Sequence, residues 1–343
     1  MKSLEYYWYR SGFPGNFFVW LLLPLSWLYC AVAVMRRKIY QLKLKKSYAA
    51  GVPIVVIGNI VVGGSGKTPL LISVCEFIKE NGFKPGVVSR GYGGKVNGVK
   101  QVQEDDAAEL VGDEPLMIYK RTKVPVVVGA DRVAAVDHLL ENNQCDIVLS
   151  DDGLQHYRMQ RNIEIAVVDS SRGFGNGFCL PAGPLRERVS RLDDVDMVVF
   201  NDANDGAAGG VSSASAEACS YTLKIVDVSH LGHSDRVSLS SFTDKTVHAV
   251  AGIGNPSRFF AQLRDNGVNV IEHAFSDHHA YTQSEFLGWD NECIIMTEKD
   301  AVKCRHLPLS DAWVVSVRAD ISKSLESQLN EKILPLLNRQ PGK

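Results

Sequence analysis

Short apolar runs alternate with segments of helical periodicity over most of this chain. The runs are rich in β-branched residues and cover residues 53–57, 86–89, 125–128, 146–149, 164–168, 196–200, 248–251, 293–296 and 313–317. The segments between them, such as residues 70–78, place apolar side chains at helical spacing. This alternation predicts an α/β fold with a mainly parallel sheet and helices on both faces.

The first part of the chain differs, because residues 17–35 contain no charged side chain and basic residues follow at 36–38. An apolar helix of this length is about as long as a bilayer is thick. The basic residues predict that the rest of the chain lies on the cytoplasmic side. Pro24 and the nearby tryptophans also suit a helix lying in the membrane face, and a buried core helix is a further alternative. A cleaved signal peptide is disfavoured, because Glu5 and several aromatic residues replace the usual basic start.

Composition narrows the function classes. The chain has 343 residues, 45 % of them hydrophobic, which is enough for one large or two ordinary domains. Lys and Arg number 37 against 39 Asp and Glu, so the overall charge gives no case for nucleic acid binding. The seven cysteines form no C-x-x-C pair. We therefore expect reduced thiols in a cytosolic compartment and no zinc site.

A glycine-rich turn follows the first apolar run and opens the helical segment at 70–78. Glycines let the backbone amides turn inward, and a helix N-terminus favours phosphate, so the turn predicts a polyphosphate site. A strict G-x-x-x-x-G-K-[ST] pattern would need glycine where this chain has Val61, so the loop is a variant. Lys67 is expected to reach the β and γ phosphates, and the Thr68 hydroxyl to bind Mg²⁺. The predicted nucleotide-binding residues are Gly63, Gly64, Ser65, Gly66, Lys67 and Thr68.

Two adjacent carboxylates, Asp151 and Asp152, end the apolar run at 146–149. P-loop proteins hold magnesium at the end of such a strand, directly or through water. A single aspartate at this place is more often a turn former or a helix cap. The adjacent pair, in a chain with a phosphate loop, predicts a Mg²⁺ site.

Between residues 201 and 222 the composition shifts to Ala, Gly, Ser and Asp without an apolar period. We expect a domain boundary there. The predicted organisation is an N-terminal membrane-anchor helix with a basic flank at 1–46, a P-loop nucleotide-binding kinase domain at 47–200, a flexible linker at 201–222 and a smaller C-terminal α/β domain at 223–343.

Further polar clusters follow other predicted strands. Open α/β sheets bind ligands at the carboxyl ends of their strands, so loops that are distant in sequence can converge there. Each cluster also has a simple local interpretation as a turn, a helix cap or a surface histidine. The clusters occupy residues 89–94, 111–115, 155–156, 180–187 and 276–279.

Together these segments closely resemble the tetraacyldisaccharide 4′-kinase family, the lipid A 4′-kinases. The resemblance covers nearly the whole chain, and only residues 202–220 match the family poorly. The matching motifs lie at residues 22–29, 58–59, 63–69, 89–94, 112–115, 151–156, 175–177, 180–187, 251–254, 277–278 and 297–303.

The resemblance implies a P-loop NTPase-like enzyme at the cytoplasmic face of the bacterial inner membrane. The enzyme would use ATP and Mg²⁺ to phosphorylate the 4′-hydroxyl of a tetraacylated glucosamine disaccharide 1-phosphate in lipid A synthesis. Asp113 would be the base, paired with His278, and Lys67 would stabilise the transferring phosphoryl group. Glu187 and Asp152 would bind metal or orient other groups. The side chains expected to contact phosphate or disaccharide are Asn59, Arg90, Tyr92, Gln155, His156 and Arg186.

An alternative of another class is a membrane-associated P-loop nucleotide switch or assembly ATPase. A guanine-specificity motif such as Asn-Lys-x-Asp, or a second lysine early in the loop, would favour it. The sequence has neither. A soluble nucleotide kinase would leave residues 17–35 unexplained.

Overall fold

The computed structural model of the protein describes residues 7–9, 17–201, 219–233, 235–289 and 292–338. Most of the predicted linker, residues 202–218, lies outside these ranges. For that part the linker stays a prediction.

The described strands form one sheet, and each strand run expected from the sequence overlaps one of them. Their order across the sheet is β11-β10-β12-β13-β8-β7-β6-β1-β5-β2-β4-β3, with β9 paired to β8. The strands are β1 (Ile54–Gly58), β2 (Pro85–Ser89), β3 (Val99–Gln101), β4 (Val126–Gly129), β5 (Ile147–Asp151), β6 (Ile163–Asp169), β7 (Met197–Asn201), β8 (Cys219–His230), β9 (Arg236–Val237), β10 (Thr246–Ala251), β11 (Asn269–Ala274), β12 (Ile294–Thr297) and β13 (Ala312–Ile321).

The sheet consists of two parallel halves joined at β8. In the first half, β1 pairs in parallel with β5 and β6, and only the edge strand β3 is antiparallel. In the second half, β10 to β13 are parallel. Strand β8 lies between the two halves: it is parallel to its neighbour β7 and antiparallel to its neighbour β13. Open α/β sheets bind ligands at the carboxyl ends of their parallel strands, so these ends in each half are where a site is expected.

Helices cover the sheet on both sides, as the alternation predicted. They are α1 (Phe17–Gln41), α2 (Lys67–Glu80), α3 (Ala108–Val111), α4 (Asp113–Thr122), α5 (Arg132–Asn142), α6 (Pro256–Asp265), α7 (Glu298–Cys304), α8 (Lys323–Lys332) and α9 (Leu334–Asn338). Because side chains alternate across a strand, Val55 of β1 lies in the core with Leu70 of α2, while Val56 lies in the core with Val133 of α5.

The end of the predicted linker is a strand instead. Residues 219–222 begin β8, where Tyr221 is buried and pairs with Ile321 of β13. The sequence did not predict a strand at residues 219–222 because only one of its faces is buried here, and its alternating pattern resembles a polar loop.

The C-terminal helices also return to the first half, because Leu325 and Leu329 of α8 pack in the same core as Val55.

Helix α1 packs against the rest of the protein along one side only. Val19, Leu23, Ser26 and Cys30 recur at helical spacing and are buried. The opposite side is an exposed apolar face. Its large side chains are Phe17, Trp20, Leu21, Leu25, Trp27, Leu28, Val32 and Met35. The helix is therefore not a core helix, and it is long and apolar enough to cross a membrane.

Candidate active site

The phosphate loop lies between β1 and α2, where the sequence predicted it. Gly66 has a φ of 82°, and a Cβ there would lie 2.2 Å from Asn201 Nδ2 and 2.5 Å from Tyr221 Oη. Asn201 Nδ2 donates to the carbonyl of Ser65 at 3.1 Å, and Tyr221 Oη donates to the carbonyl of Gly66 at 2.7 Å. Only glycine fits at this position, and residues at the end of β7 and near the beginning of β8 fix the loop.

Asn201 and Tyr221 were missed at the sequence level. Asn201 borders the composition change that marked the predicted linker, and Tyr221 lies inside it. A polar residue ending the apolar run at 196–200 was the one available signal, since strand ends form the ligand-binding edge.

Lys67 and Asp152 meet at the start of α2. Lys67 Nζ lies 3.6 Å from Asp152 Oδ1, and Arg186 Nη1 donates to Asp152 Oδ2 at 2.7 Å. Burial raises the pKa of Asp152, but Lys67 and Arg186 outweigh it and bring the pKa to about 2. Asp152 also has a φ of 48°, an uncommon backbone conformation for a residue other than glycine. The carboxylate is therefore ionised and held against the phosphate loop.

Asp151 lies in a different electrostatic environment although it is the next residue. Burial, Glu114 and Asp152 together raise its pKa to about 7. Ser89 Oγ donates to Asp151 Oδ2 at 3.0 Å, while the buried Oδ1 accepts no hydrogen bond from any described residue. An unpartnered buried carboxylate oxygen costs free energy, and a bound cation would remove this cost.

This arrangement suits Mg²⁺ held jointly with a nucleotide. Magnesium commonly binds through one or two carboxylates together with substrate phosphates, keeping some waters. Among the described residues, no group of three or more His, Cys, Asp or Glu side chains is arranged to hold a metal unaided. Thr68, Asp151 and Asp152 fit the shared type of site.

Glu187 is already engaged by neighbouring side chains. Gln155 Nε2 donates to Glu187 Oε2 at 2.8 Å, and the Tyr157 hydroxyl donates to Oε1. Gln155 also donates to the carbonyl of Asn59 at 3.2 Å. Asn59 is buried, and its Nδ2 donates to Ser65 Oγ at 3.1 Å. Asn59, Gln155 and Glu187 thus form a layer of hydrogen bonds beneath the phosphate loop.

The Asp113–His278 pair is assembled from the two halves of the sheet. Asp113 begins α4, and His278 lies on the loop after β11. His278 Nδ1 lies 3.0 Å from Asp113 Oδ2 and 3.1 Å from Oδ1. Burial raises the pKa of Asp113, but the hydrogen bond to His278 and the charge of Lys299 bring it below its ordinary value. The same hydrogen bond raises the pKa of His278.

The remaining predicted side chains lie around this pair and the loop. Arg90 and Tyr92 are exposed, and the ring of Tyr92 lies 4.9 Å from the ring of His278 between centroids. Burial and the nearby charges of Arg132 and Arg161 lower the pKa of His156 to about 4, so its imidazole is neutral near pH 7.

A cavity lies beside the phosphate loop. The phosphate loop forms one wall, and the two halves approach closely where a Cβ on Gly254 would lie 2.6 Å from Gly64 N. Glu114 and Lys299 line the cavity together with Lys67. Its apolar wall consists of Ile72, Met117, Leu223, Ile253, Phe259, Val315 and Val317. The cavity therefore offers apolar walls beside a cradle for phosphates.

The sheet, the phosphate loop and the carboxylates at its edge define a P-loop nucleotide-binding protein. Comparisons with known proteins narrow this class. The family model for tetraacyldisaccharide-1-P 4′-kinase (LpxK) matches residues 18–334. The chain therefore belongs to the tetraacyldisaccharide 4′-kinase family, and the resemblance found in the sequence motifs is confirmed.

Individual relatives agree with this assignment. The tetraacyldisaccharide 4′-kinase of Methylobacillus flagellatus is 42 % identical over 342 residues, covering 99 % of this chain and 98 % of the relative. That of Shewanella pealeana is 45 % identical over 332 residues, covering 95 % and 96 %. The crystal structure of LpxK from Aquifex aeolicus in complex with ATP is 25 % identical, with a TM-score of 0.78 and coverage of 93 % and 99 %.

Proposed function

We propose that this protein transfers the γ-phosphoryl group of ATP to the 4′-hydroxyl of a tetraacylated glucosamine disaccharide 1-phosphate, in lipid A biosynthesis. The observation that carries the proposal is the pairing of buried Asp113 with half-buried His278, beside two residues, Glu114 and Lys299, that line the cavity of the phosphate loop in a chain of this family. A nucleotide switch has no need of a base for a substrate hydroxyl. The pair therefore favours the kinase over that alternative.

ATP would occupy the cavity between the two halves of the sheet. The apolar wall suits a purine base, and the amides of the loop with the N-terminus of α2 suit the phosphates. Lys67 lies where it can neutralise the transferring phosphoryl group once ATP separates it from Asp152.

Mg²⁺ would be held by the Thr68 hydroxyl and by Asp151 or Asp152. It would supply charge that stabilises the transferring phosphates. The unpartnered Oδ1 of Asp151 supports this placement. Glu187, with both oxygens already accepting hydrogen bonds, would act through Gln155 and the loop, or bind metal after those contacts rearrange.

Asp113 would accept the proton of the 4′-hydroxyl while the hydroxyl oxygen attacks the γ-phosphorus of ATP. The bond between the γ-phosphorus and the oxygen that leaves with ADP breaks in the same step. Because its pKa is lowered, the carboxylate is ionised and ready to accept that proton at neutral pH. His278 would hold the carboxylate in place and stabilise its charge. The proton then leaves to solvent or through His278.

The acceptor would approach from the side where Arg90 and Tyr92 are exposed beside His278. These two residues are our strongest candidates for contacts with the disaccharide. Arg186 would reach phosphate or sugar near Asp152. The neutral imidazole of His156 would serve as a hydrogen-bonding group in the same region, while Asn59 and Gln155 would keep the loop in position.

Membrane association would occur through the exposed apolar face of α1. The opposite side of the helix is packed at Val19, Leu23 and Cys30, and Arg37 near its end forms an ion pair with Asp194 at 2.8 Å. A helix attached at both ends to the globular part cannot easily cross a bilayer. We therefore infer that α1 lies in the cytoplasmic surface of the inner membrane, where its basic flank meets anionic lipids.

The direct test is to incubate the purified protein in detergent with γ-labelled ATP and the disaccharide 1-phosphate lipid, followed by chromatography of the lipid fraction. Label should enter the lipid with wild-type protein and be nearly absent with Asp113→Asn. ATP hydrolysis without labelled lipid would contradict the kinase and favour the assembly ATPase.

A further inference from the structure

Lys299 occupies a central place among the charged groups around Asp113. It is the second residue of α7, on the second half of the sheet. Its Nζ lies 2.8 Å from Glu114 Oε1 and 2.9 Å from Asp277 Oδ1, and 3.9 Å from Asp113 Oδ2. The side chain is only 12 % exposed. One ammonium group therefore contacts carboxylates from both halves.

The surrounding charges explain why a cation is required. Asp113 and Glu114 come from α4, and Asp277 precedes His278 on the loop after β11. Without a cation, three carboxylates would face one another in a mostly buried space, which is costly. Burial lowers the pKa of Lys299, but the three carboxylates raise it well above its ordinary value. The lysine therefore stays protonated.

We propose that Lys299 is a positioning residue for the phosphoryl transfer. It joins α4 to the loop of His278 and so keeps the proposed base aligned and ionised. The inference rests on the proposed function, in which Asp113 accepts the hydroxyl proton. Because Glu114 and Asp277 already engage its ammonium group at hydrogen-bond distance, Lys299 acts through these carboxylates and not as a phosphate ligand.

The consequence for pH dependence follows from the groups that face Asp113. Burial opposes ionisation of the Asp113 carboxylate, whereas His278, Lys299 and the more distant Lys303 favour it and lower its pKa. The carboxylates of Glu114 and Asp277 face the same ammonium group of Lys299. Removing the charge of Lys299 therefore raises the pKa of Asp113. Since the base must be ionised, the acid side of the turnover profile moves to higher pH.

The main variant is Lys299→Gln, which removes the charge and keeps a side chain that can donate hydrogen bonds. We expect the acid limb of kcat to move up by about one pH unit, the shift an opposite charge at this range produces. The loss should be larger at low pH than at high pH. ATP affinity, measured by direct binding, should change by less than about threefold, as expected for a residue that is not a phosphate ligand.

A matched control lies on the same helix. Lys303 is also buried and pairs with Asp300 at 2.9 Å, but it does not contact Asp113, Glu114 or Asp277 within the described contacts. Lys303→Gln should reproduce any loss of thermal stability and move the acid limb less than Lys299→Gln. Lys299→Arg keeps the charge, so the acid limb of its kcat profile should stay at the wild-type pH. This variant keeps the proposal testable if Lys299→Gln folds poorly.

Several outcomes would overturn the inference. An equal loss at every pH for Lys299→Gln, with the limb unmoved, would indicate a structural role only. A large loss of ATP affinity would make Lys299 a phosphate ligand. A failure of the proposed function is visible in a separate experiment. If Asp113 were not the base, Asp113→Asn would retain lipid phosphorylation, whatever the Lys299 variants showed.

Discussion

The phosphate loop lines the cavity, and the Asp113–His278 pair lies next to two other lining residues, Glu114 and Lys299, but the loop and the pair are built in opposite ways. The loop needs one strand, one turn and one helix that are consecutive in the chain, from β1 to α2. The pair needs α4 from one half of the sheet and the loop after β11 from the other, joined because β8 continues the sheet between them. The phosphate loop is thus built mainly from consecutive residues, with supporting hydrogen bonds from Asn201 and Tyr221, whereas placement of the proposed base depends on how the two halves meet.

The largest expected effect comes from separating the members of the pair. Asp113→Asn keeps the shape but removes the charge of the proposed base, so turnover should fall by on the order of a thousandfold. His278→Ala should cost less. Residues that act as a unit show non-additive losses, so the double variant should be little worse than Asp113→Asn alone. The measurement is kcat for lipid phosphorylation.

Glu109→Gln is a suitable control, because Glu109 is an exposed carboxylate on neighbouring α3. It should retain wild-type turnover. If the separate losses of Asp113 and His278 simply added in log turnover, the two residues would act independently and the contrast between a local and an assembled site would weaken.

The next effect tests the local site. Lys67→Ala removes the charge that we propose stabilises the transferring phosphoryl group, and turnover should fall by about a hundredfold or more. Lys79→Ala removes an exposed lysine from the last turn of the same helix and should leave turnover unchanged. Near wild-type turnover of Lys67→Ala would mean that this loop does not serve phosphoryl transfer.

The sequence predicted the local features better than the assembled ones, for physical reasons. Apolar runs and turn glycines reveal strands and the loop because their causes lie within a few residues. Tyr221 and Lys299 have no such local signature, since their roles arise from pairing of β8 and from α7 meeting α4. The resemblance to a family supplied the long-range Asp113–His278 pairing, which periodicity alone does not contain.

A smaller effect tests how the second half supports the loop. Tyr221→Phe removes the hydrogen bond from Oη to the carbonyl of Gly66, which is worth about 1 kcal/mol. ATP affinity should fall about fivefold, because the loop loses part of its fixed shape. Tyr119→Phe on α4, whose ring lies beside Lys123, is the control and should bind ATP normally. Unchanged affinity for Tyr221→Phe would show that the loop holds its shape from local sequence alone.

The smallest effect concerns α1, whose exposed apolar side chains do not line the cavity. Trp20 and Trp27 are each 63 % exposed, so replacing both with serine removes little packing within the protein. It does remove amphipathic rings that favour the membrane interface, so sedimentation with anionic lipid vesicles and activity toward lipid in micelles should each fall severalfold. ATP affinity should stay the same, since neither ring lines the nucleotide cavity. Leu287→Ser is the control, because Leu287 is similarly exposed but lies in the segment between β11 and β12. If the tryptophan variant still bound vesicles as wild type does, another surface would have to make the membrane contact. Lipid delivery would then depend on the globular part as well as on α1.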